Sequence, residues 1–381
     1  MVFLKRILDL PSLLEKKSFF LFGPRATGKS FLIERQLSRV AQVFDLLSSD
    51  MTLRFSARPS ELESLIEPEK KWIVIDEIQK VPELLDEVHR LIEKKGLHFL
   101  LTGSSARKLK RGKANLLAGR AWQAEIFPLV WPEIPNFDLD HYLQYGGLPS
   151  VYLSKDPAEE LKAYCQTYLY EEIQAEGFIR RLPQFSRFLL SSSFSNTKIL
   201  NFTKIAQDTE IPPSTIREYF QILEDTLIGF QVFPWKKANK RKTVATSKFY
   251  FFDLGVAHAL ANIQSLDPRS DLYGMSFEHW VGLEIRAYLS YRRRNDSLEF
   301  WRTKSHQEVD FIVGDEVAIE VKATQKVTEN DLKGLKALGD EKKIKDYYLV
   351  SKDPLSAKRG DIHCIPWTRF IEKLWNDGLL A

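Results

Sequence analysis

Short apolar runs and amphipathic stretches alternate along this chain in an order that reads as α/β. In "SFFLFGPRATGKSFLIERQL" an apolar run gives way to a Gly-bounded loop and then to a helical pattern. "KWIVIDEIQKV" and "LHFLLTGSSARKL" supply two further apolar runs. Each is short and continuous, as expected of strands buried on both faces of a parallel sheet. Further on, "PAEELKAYCQTYLYEEIQAEG" places Leu161, Tyr164, Cys165, Tyr168 and Leu169 at helical spacing. A short helix near Phe202 to Thr209, a turn at Ile211-Pro212-Pro213, and a longer helix capped by Ser214 or Thr215 then form a helix-turn-helix pattern. The strands "IGFQVFPW" and "SKFYFFD" follow, joined by the basic tip "KKANKRK", like the wing of a winged helix. "SFEHWVGLEIRAYLS" is an amphipathic helix with Phe277, Trp280, Val281 and Ile285 at core spacing, and the strand "LEFWRT" comes after it.

The next stretch, "EVDFIVGDEVAIEVKA", fixes its own pairing. With a turn at Gly314-Asp315-Glu316, Val313 lies opposite Val317, Phe311 opposite Ile319 and Val309 opposite Val321, so one face is wholly apolar. A two-residue turn would slip the register and spoil that face. The chosen register sets Asp310 opposite Glu320 and Glu308 opposite Lys322.

Chemistry enters first at "GPRATGKS". Gly23, Pro24, Arg25, Ala26, Thr27, Gly28, Lys29 and Ser30 fit the phosphate-loop pattern in full, between a strand and a helix. Backbone N–H groups there face phosphates, Lys29 reaches the outer ones, and the Ser30 hydroxyl ligates magnesium. Asp76 and Glu77 end the second apolar run. Asp76 would hold magnesium through water, and Glu77 would orient or deprotonate the attacking water. Thr102 and Ser104, after the third run, would touch the γ-phosphate or that water; a simple turn is the alternative. Arg120 is a candidate arginine finger, in cis or across a subunit interface, or else a solvated surface side chain.

Taken together, "GPRATGKS", "IVIDEIQKVPELL", "LLTGSSARKL", "LAGRAWQAEIFPL" and "YGGLPSVYL" resemble the AAA-type bacterial and archaeal ATPases that carry a C-terminal domain of uncharacterised function. The resemblance covers almost the whole chain and implies an ATPase fold with Thr102 to Ser104 as its sensor region. It implies ATP and magnesium as ligands, strengthens Arg120 as a finger, and admits a homo-oligomer. The expected division is an ATPase domain at 1–150, a helical and winged-helix-like unit at 151–260, and a restriction-endonuclease-like domain of the PD-(D/E)xK type at 261–381.

That last expectation rests on residues too. An acid on a helix, Asp on one strand and Glu-x-Lys on the next would gather Glu278, Asp310 and Glu320 around one or two magnesium ions. Lys322 would activate water or stabilise the transition state. The alternative is a salt-bridged hairpin, with Lys322 pairing Glu308 or Glu320. For the basic tip, DNA phosphates are one reading and packing between units the other. Glu171, Glu172 and Glu176 are conceivable metal ligands, more simply a solvated face.

Composition narrows the classes only a little. The 381 residues are 44% hydrophobic and 28% charged, ordinary for a globular chain, and a net charge of +4 permits a DNA partner without demanding one. Cys165 and Cys364 make neither a disulfide framework nor a metal spacing, which fits a reducing cytoplasm. No run approaches a membrane span, so no membrane partner is expected. The expected function is an ATPase acting on DNA with a nuclease-like C-terminal domain, or else an ATP-driven switch whose C-terminal domain binds without catalysis.

Overall fold

The computed structural model describes residues 4–103, 117, 119–169, 182–238 and 240–380. Ser104, Glu171, Glu172 and Glu176 lie outside these described residues. Helix α1 (Leu10–Lys16) opens the chain, its N-terminus capped by Asp9. Strand β1 (Ser18–Phe22) runs into the phosphate loop, and helix α2 (Lys29–Leu37) leaves it. Strands β2 (Ala41–Asp45) and β3 (Trp72–Asp76), helix α3 (Leu84–Lys95), and strands β4 (Phe99–Gly103) and β5 (Ala121–Glu125) complete a five-stranded sheet. Its order is β2-β3-β4-β1-β5, and every pairing is parallel. β1, β3 and β4 are buried along their whole length, so continuous apolar runs are what these positions require. Because all strands point one way, the ends of β1, β3 and β4 meet at a single edge. That edge holds the phosphate loop, Asp76 and Thr102.

The middle unit packs α4 (Leu182–Phe194), α5 (Phe202–Thr209) and α6 (Pro213–Asp225) around Phe188, Ile205, Phe220 and Leu223. Asn201 caps α5, and α6 starts at Pro213 after Pro212 with no side-chain cap, so Ser214 and Thr215 lie inside the helix rather than capping it; the helix-turn-helix order itself is present. The stretch after Pro157 is helical to Ala163 and then opens into a wider π-helical turn at Tyr164–Leu169.

The strands after α6 depart from expectation. β6 (Gly229–Pro234) and β7 (Lys248–Phe251) pair antiparallel as a hairpin, but they belong to the C-terminal sheet. Helices α7 (Leu254–Leu260) and α8 (Asp271–Tyr291) follow, then β8 (Leu298–Arg302), β9 (Glu308–Val313), β10 (Val317–Lys322), α9 (Lys333–Gly339), β11 (Asp346–Ser351), β12 (Ala357–Arg359), β13 (Ile362–Pro366) and α10 (Trp367–Trp375). The eight strands order as β12-β13-β11-β10-β9-β8-β6-β7, a mixed sheet. β6 joins β8 in parallel at Phe233 and Pro234. The basic tip is therefore docked on the sheet, in line with the packing alternative rather than a free wing. Trp235 is wholly buried, donates its backbone N–H to the Phe300 carbonyl at 2.7 Å, and donates its indole N–H to Asp315 at 2.5 Å. Lys237 pairs with Asp315, Lys240 Nζ donates to the Asp340 carbonyl at 2.6 Å, and Arg241 binds Asp340 at 2.7 Å. An anchored tryptophan and three satisfied cations explain why the tip lies against the sheet.

Next to the turn the β9–β10 register is the one expected, with Val313 facing Val317 and Phe311 facing Ile319, but the ladder ends there: the expected Asp310–Glu320 and Val309–Val321 pairs are not made, and the Val321 N–H donates to the Asp310 carboxylate instead. One apolar core, including Phe127, Tyr142, Tyr250, Trp280, Phe311 and Trp375, draws on all three parts of the chain. Among the described residues no helix is long and apolar enough to cross a membrane.

Candidate functional site

At the edge of the parallel sheet the phosphate loop is tight. A Cβ at Gly23 would lie 2.5 Å from Ile126 Cγ2 and 2.7 Å from its carbonyl oxygen, so the close approach of β1 to the start of the next segment demands glycine. Gly28 caps α2 with φ +93°, a left-handed conformation. Lys29 is buried, and its ammonium donates to the Gly23 carbonyl at 2.6 Å and the Pro24 carbonyl at 3.1 Å. Thr27 Oγ1 closes the loop on the Pro24 carbonyl at 2.7 Å. Arg25 and Ala26 stand at the loop's outer side, Ala26 exposed with φ +62°.

Asp76 sits between two hydroxyls. Ser30 Oγ donates to its Oδ2 at 3.0 Å, and Thr102 Oγ1 donates to its Oδ1. The next residue, Glu77, turns left-handed with φ +61°, and its backbone N–H donates to Thr102 Oγ1 at 3.0 Å. A non-glycine residue in that conformation is costly and is held by its surroundings. Its carboxylate accepts from Gln79 Nε2. These groups fit MgATP: backbone donors and a lysine for phosphates, with a hydroxyl and a carboxylate within 3.0 Å for the ion.

Arg120 is not with them. The register sets Ala121 beside Ser18, the first residue of β1, so Arg120 lies at the opposite end of the sheet. Five residues of strand at about 3.3 Å each separate it from the phosphate loop. It pairs there with Glu93 of α3. A finger acting in cis on its own nucleotide is excluded by that distance.

One residue that the sequence patterns did not mark is Arg6. It is 7% exposed and donates to the Thr27 carbonyl of the phosphate loop at 2.7 Å and to the Phe127 carbonyl at 2.6 Å. It also pairs with Glu133 at 2.9 Å and reaches the hydroxyl of Tyr291, the last residue of α8.

The second set of expected residues lies in the mixed sheet. Asp310 and Glu320 are buried, and Glu278 is half-buried. Another missed residue, Lys248 on β7, stands among them. Its Nζ lies 2.9 Å from Glu278, 2.6 Å from Glu308 and 3.8 Å from Asp310. Tyr250 donates to Glu278 at 2.7 Å, and the Val321 N–H donates to Asp310 at 2.8 Å. Burial pulls the Lys248 ammonium down, but Glu278, Asp310 and Glu308 outweigh it and the net direction is up. Burial pushes Glu278 up despite Lys248, and burial with Asp310 nearby raises Glu320 well above the usual range. Lys322 pairs with Glu320 at 2.5 Å, so that half of the hairpin is salt-bridged. Glu320 Oε2 is buried without a hydrogen-bond partner. Beside it opens a cleft of about 660 Å³ lined by Glu308, Glu320, Lys322, Lys333 and Arg241. Among the described residues no three His, Cys, Asp or Glu side chains are arranged to hold a metal ion. The donor types suit a hard cation, but with Lys248 in their midst the arrangement does not fit one. The only sequence signal for Lys248 was a lysine at the head of an otherwise apolar strand.

Residues 15–135 match the family described as an AAA domain (AAA_14). The N-terminal third is an AAA domain. It implies a P-loop ATPase. Residues 136–267 and 273–370 match two domains of unknown function, DUF8612 and DUF4143. An uncharacterized protein of Mycobacterium tuberculosis is 26% identical over 316 residues, covering 80% of this chain and 70% of the relative. One of Methanocaldococcus jannaschii is 25% identical over 378 residues, covering 88% and 81%. Among solved structures, the Aeropyrum pernix ORC1 protein in complex with DNA aligns with a TM-score of 0.28 and 13% identity, over 67% of this chain and 94% of that one.

Proposed function

We propose that the chain binds and hydrolyses MgATP and works as a nucleotide-driven switch, with the mixed sheet as an interaction module that is catalytically silent in this arrangement. The observation that carries this reading is the convergence of Lys29, Ser30, Asp76, Glu77 and Thr102 at one sheet edge. Lys29 would exchange its two loop carbonyls for phosphate oxygens. Ser30 and Asp76 would hold the ion, which when bound neutralises charge on the transferred phosphoryl group. Glu77, pinned through its N–H to Thr102, would orient the attacking water and accept its proton at a carboxylate oxygen. Arg120 would serve only a neighbouring subunit's nucleotide.

A second reading, a metal-dependent nuclease acting on DNA, is favoured by the unpartnered Glu320 Oε2 next to Lys322 at an open cleft. One experiment separates the two. ATP hydrolysis is measured with and without linear, branched and single-stranded DNA, and DNA integrity is read from the same tubes. Hydrolysis lost in Lys29→Ala, without cleavage in magnesium or manganese, is the expected result. Cleavage that disappears in Asp310→Ala would move the conclusion to the nuclease. A wild-type chain that hydrolyses no ATP would overturn the switch.

A further inference from the structure

Four carboxylates line the seam where β7 and α8 meet the β9–β10 hairpin: Asp310 and Glu320 are buried, and Glu278 and Glu308 are half-buried. Buried carboxylates must be paired, neutralised or bound to a metal. Lys248 delivers an ammonium to the first two of them at 2.9 and 2.6 Å, with Asp310 at 3.8 Å. Its Nζ lies 5.5 Å from the centre of the Phe300 ring, so an aromatic wall backs it. We propose that Lys248 is a built-in cation: β7 carries an ammonium into the place where this carboxylate set would take a divalent metal, and the set stays metal-free until the lysine withdraws.

Three features carry the inference. A hard cation needs oxygens at roughly 2.0–2.6 Å, and an ammonium already within hydrogen-bond distance of two of those carboxylates excludes it by volume and by charge. Glu320 Oε2 is buried with no hydrogen-bond partner, a donor atom left over although Lys322 pairs with the other oxygen of the same carboxylate. The α9 wall packs closely on β9 beside it: a Cβ at Gly334 would lie 1.9 Å from the Glu308 carbonyl, and at an ordinary contact distance of 3.6 Å from Glu320 Oε2. Withdrawal has a structural route. β7 is the edge strand, paired with β6 over four residues, and its other side meets Asn196 and Ile199 of the helical unit. Movement of that unit would move Lys248. None of this rests on ATP hydrolysis.

The test uses the full nucleotide-free chain and Mn²⁺ alone, with uptake followed by loss of the free-ion EPR signal. Lys248→Met keeps the apolar stem and removes the charge. It should gain one Mn²⁺ site, about tenfold or more tighter than any in the wild type, because Glu278 loses its only cation partner among the described residues and Glu308 one of two, Arg302 remaining at 2.9 Å. Asp310→Asn added to Lys248→Met should abolish the gain, and Mn²⁺ should raise the melting midpoint of the single variant only. A folded Lys248→Met chain with no additional Mn²⁺ site overturns the proposal. So does a wild-type chain that already binds Mn²⁺ through Asp310. If Lys248→Met does not fold, Lys248→Met with Glu278→Gln restores the charge balance and should fold and melt close to wild type. Failure of that pair to fold also overturns the proposal.

Discussion

Replacing Arg6 by Met separates a stabilising contact from a positioning one. The guanidinium pairs with Glu133 at 2.9 Å, and the Glu133 side chain is completely inaccessible to solvent. Without Arg6 that carboxylate keeps the N–H groups of Ile7 and Val130, at 2.8 and 3.2 Å, but has lost its cation. Breaking one side of a buried pair costs on the order of 3–5 kcal/mol, because the remaining charge stays buried. Arg6→Met with Glu133→Gln removes the charge while keeping an acceptor for Ile7, and should recover most of the loss. The bond to the Thr27 carbonyl is not recovered. A hydrogen bond from a charged donor is worth about 1.5–3 kcal/mol, so a loop that loses it should bind ATP roughly tenfold or more weakly in both variants. Native-state hydrogen exchange of the β1 peptide reads the local opening free energy, and steady-state hydrolysis reads KM for ATP. If Arg6→Met opens within 1 kcal/mol of wild type, roughly the cost of an unremarkable surface change, the buried-pair argument fails. If the double variant regains ATP affinity along with stability, Arg6 acts on the fold alone.

Other consequences are more direct. Glu77→Gln should lower ATP hydrolysis by roughly 10²–10⁴-fold while a fluorescent nucleotide still binds, as expected of a lost general base. Gly146→Ala should lower the melting midpoint sharply, since the position has φ +76° and the new Cβ would lie 2.1 Å from Asp253 Oδ1. Glu284 is buried, accepts from the Trp131 N–H and the Trp375 indole, and burial raises its pKa to about 8. A raised acid contributes stability that is complete below its unfolded value near 4.3 and lost as pH rises through 8. Glu284→Gln should therefore gain stability relative to wild type between pH 5 and pH 9, on the order of 2–4 kcal/mol, read from melting midpoints at each pH. Arg120→Ala should leave single-turnover hydrolysis by the dilute chain unchanged, and an effect that grows with protein concentration would place the guanidinium at a neighbour's nucleotide.

The nucleotide site was legible because its signals are local. Gly23 to Ser30 are contiguous, and Asp76 and Glu77 end a run whose apolar character already declares a buried parallel strand. A parallel sheet then brings strand ends together whatever the intervening loops do. The β9–β10 hairpin was legible for a similar reason, since a period of two and a short turn leave one register with an apolar face. What failed was position within the whole. Arg120 carries no mark of which end of β5 it occupies until β5 is seen beside β1.

The basic tip stayed open between a DNA contact and packing because a cation's partners are distant in sequence. Arg241 finds Asp340 some hundred residues on, and Lys248 finds Glu278, Glu308 and Asp310 on two later elements. A lysine heading an apolar strand looks solvated until a buried acid is placed opposite it. Helix α8 shows why reading the chain as three separate units loses this information. Its 21 residues span about 30 Å. Glu278, near its start, faces Lys248; Glu284 accepts the Trp131 N–H; Arg286 pairs with Glu125 of β5 at 2.9 Å; and Tyr291, at its end, accepts from Arg6 and from the Phe127 N–H. One helix thus touches the carboxylate seam at one end and the residue that braces the phosphate loop at the other. A boundary drawn near residue 260 cuts between β7 and α8, the two elements whose side chains make the seam. The packing of the ATPase edge and the C-terminal sheet against a shared helix is a property of the folded chain, with no counterpart in any local run of residues.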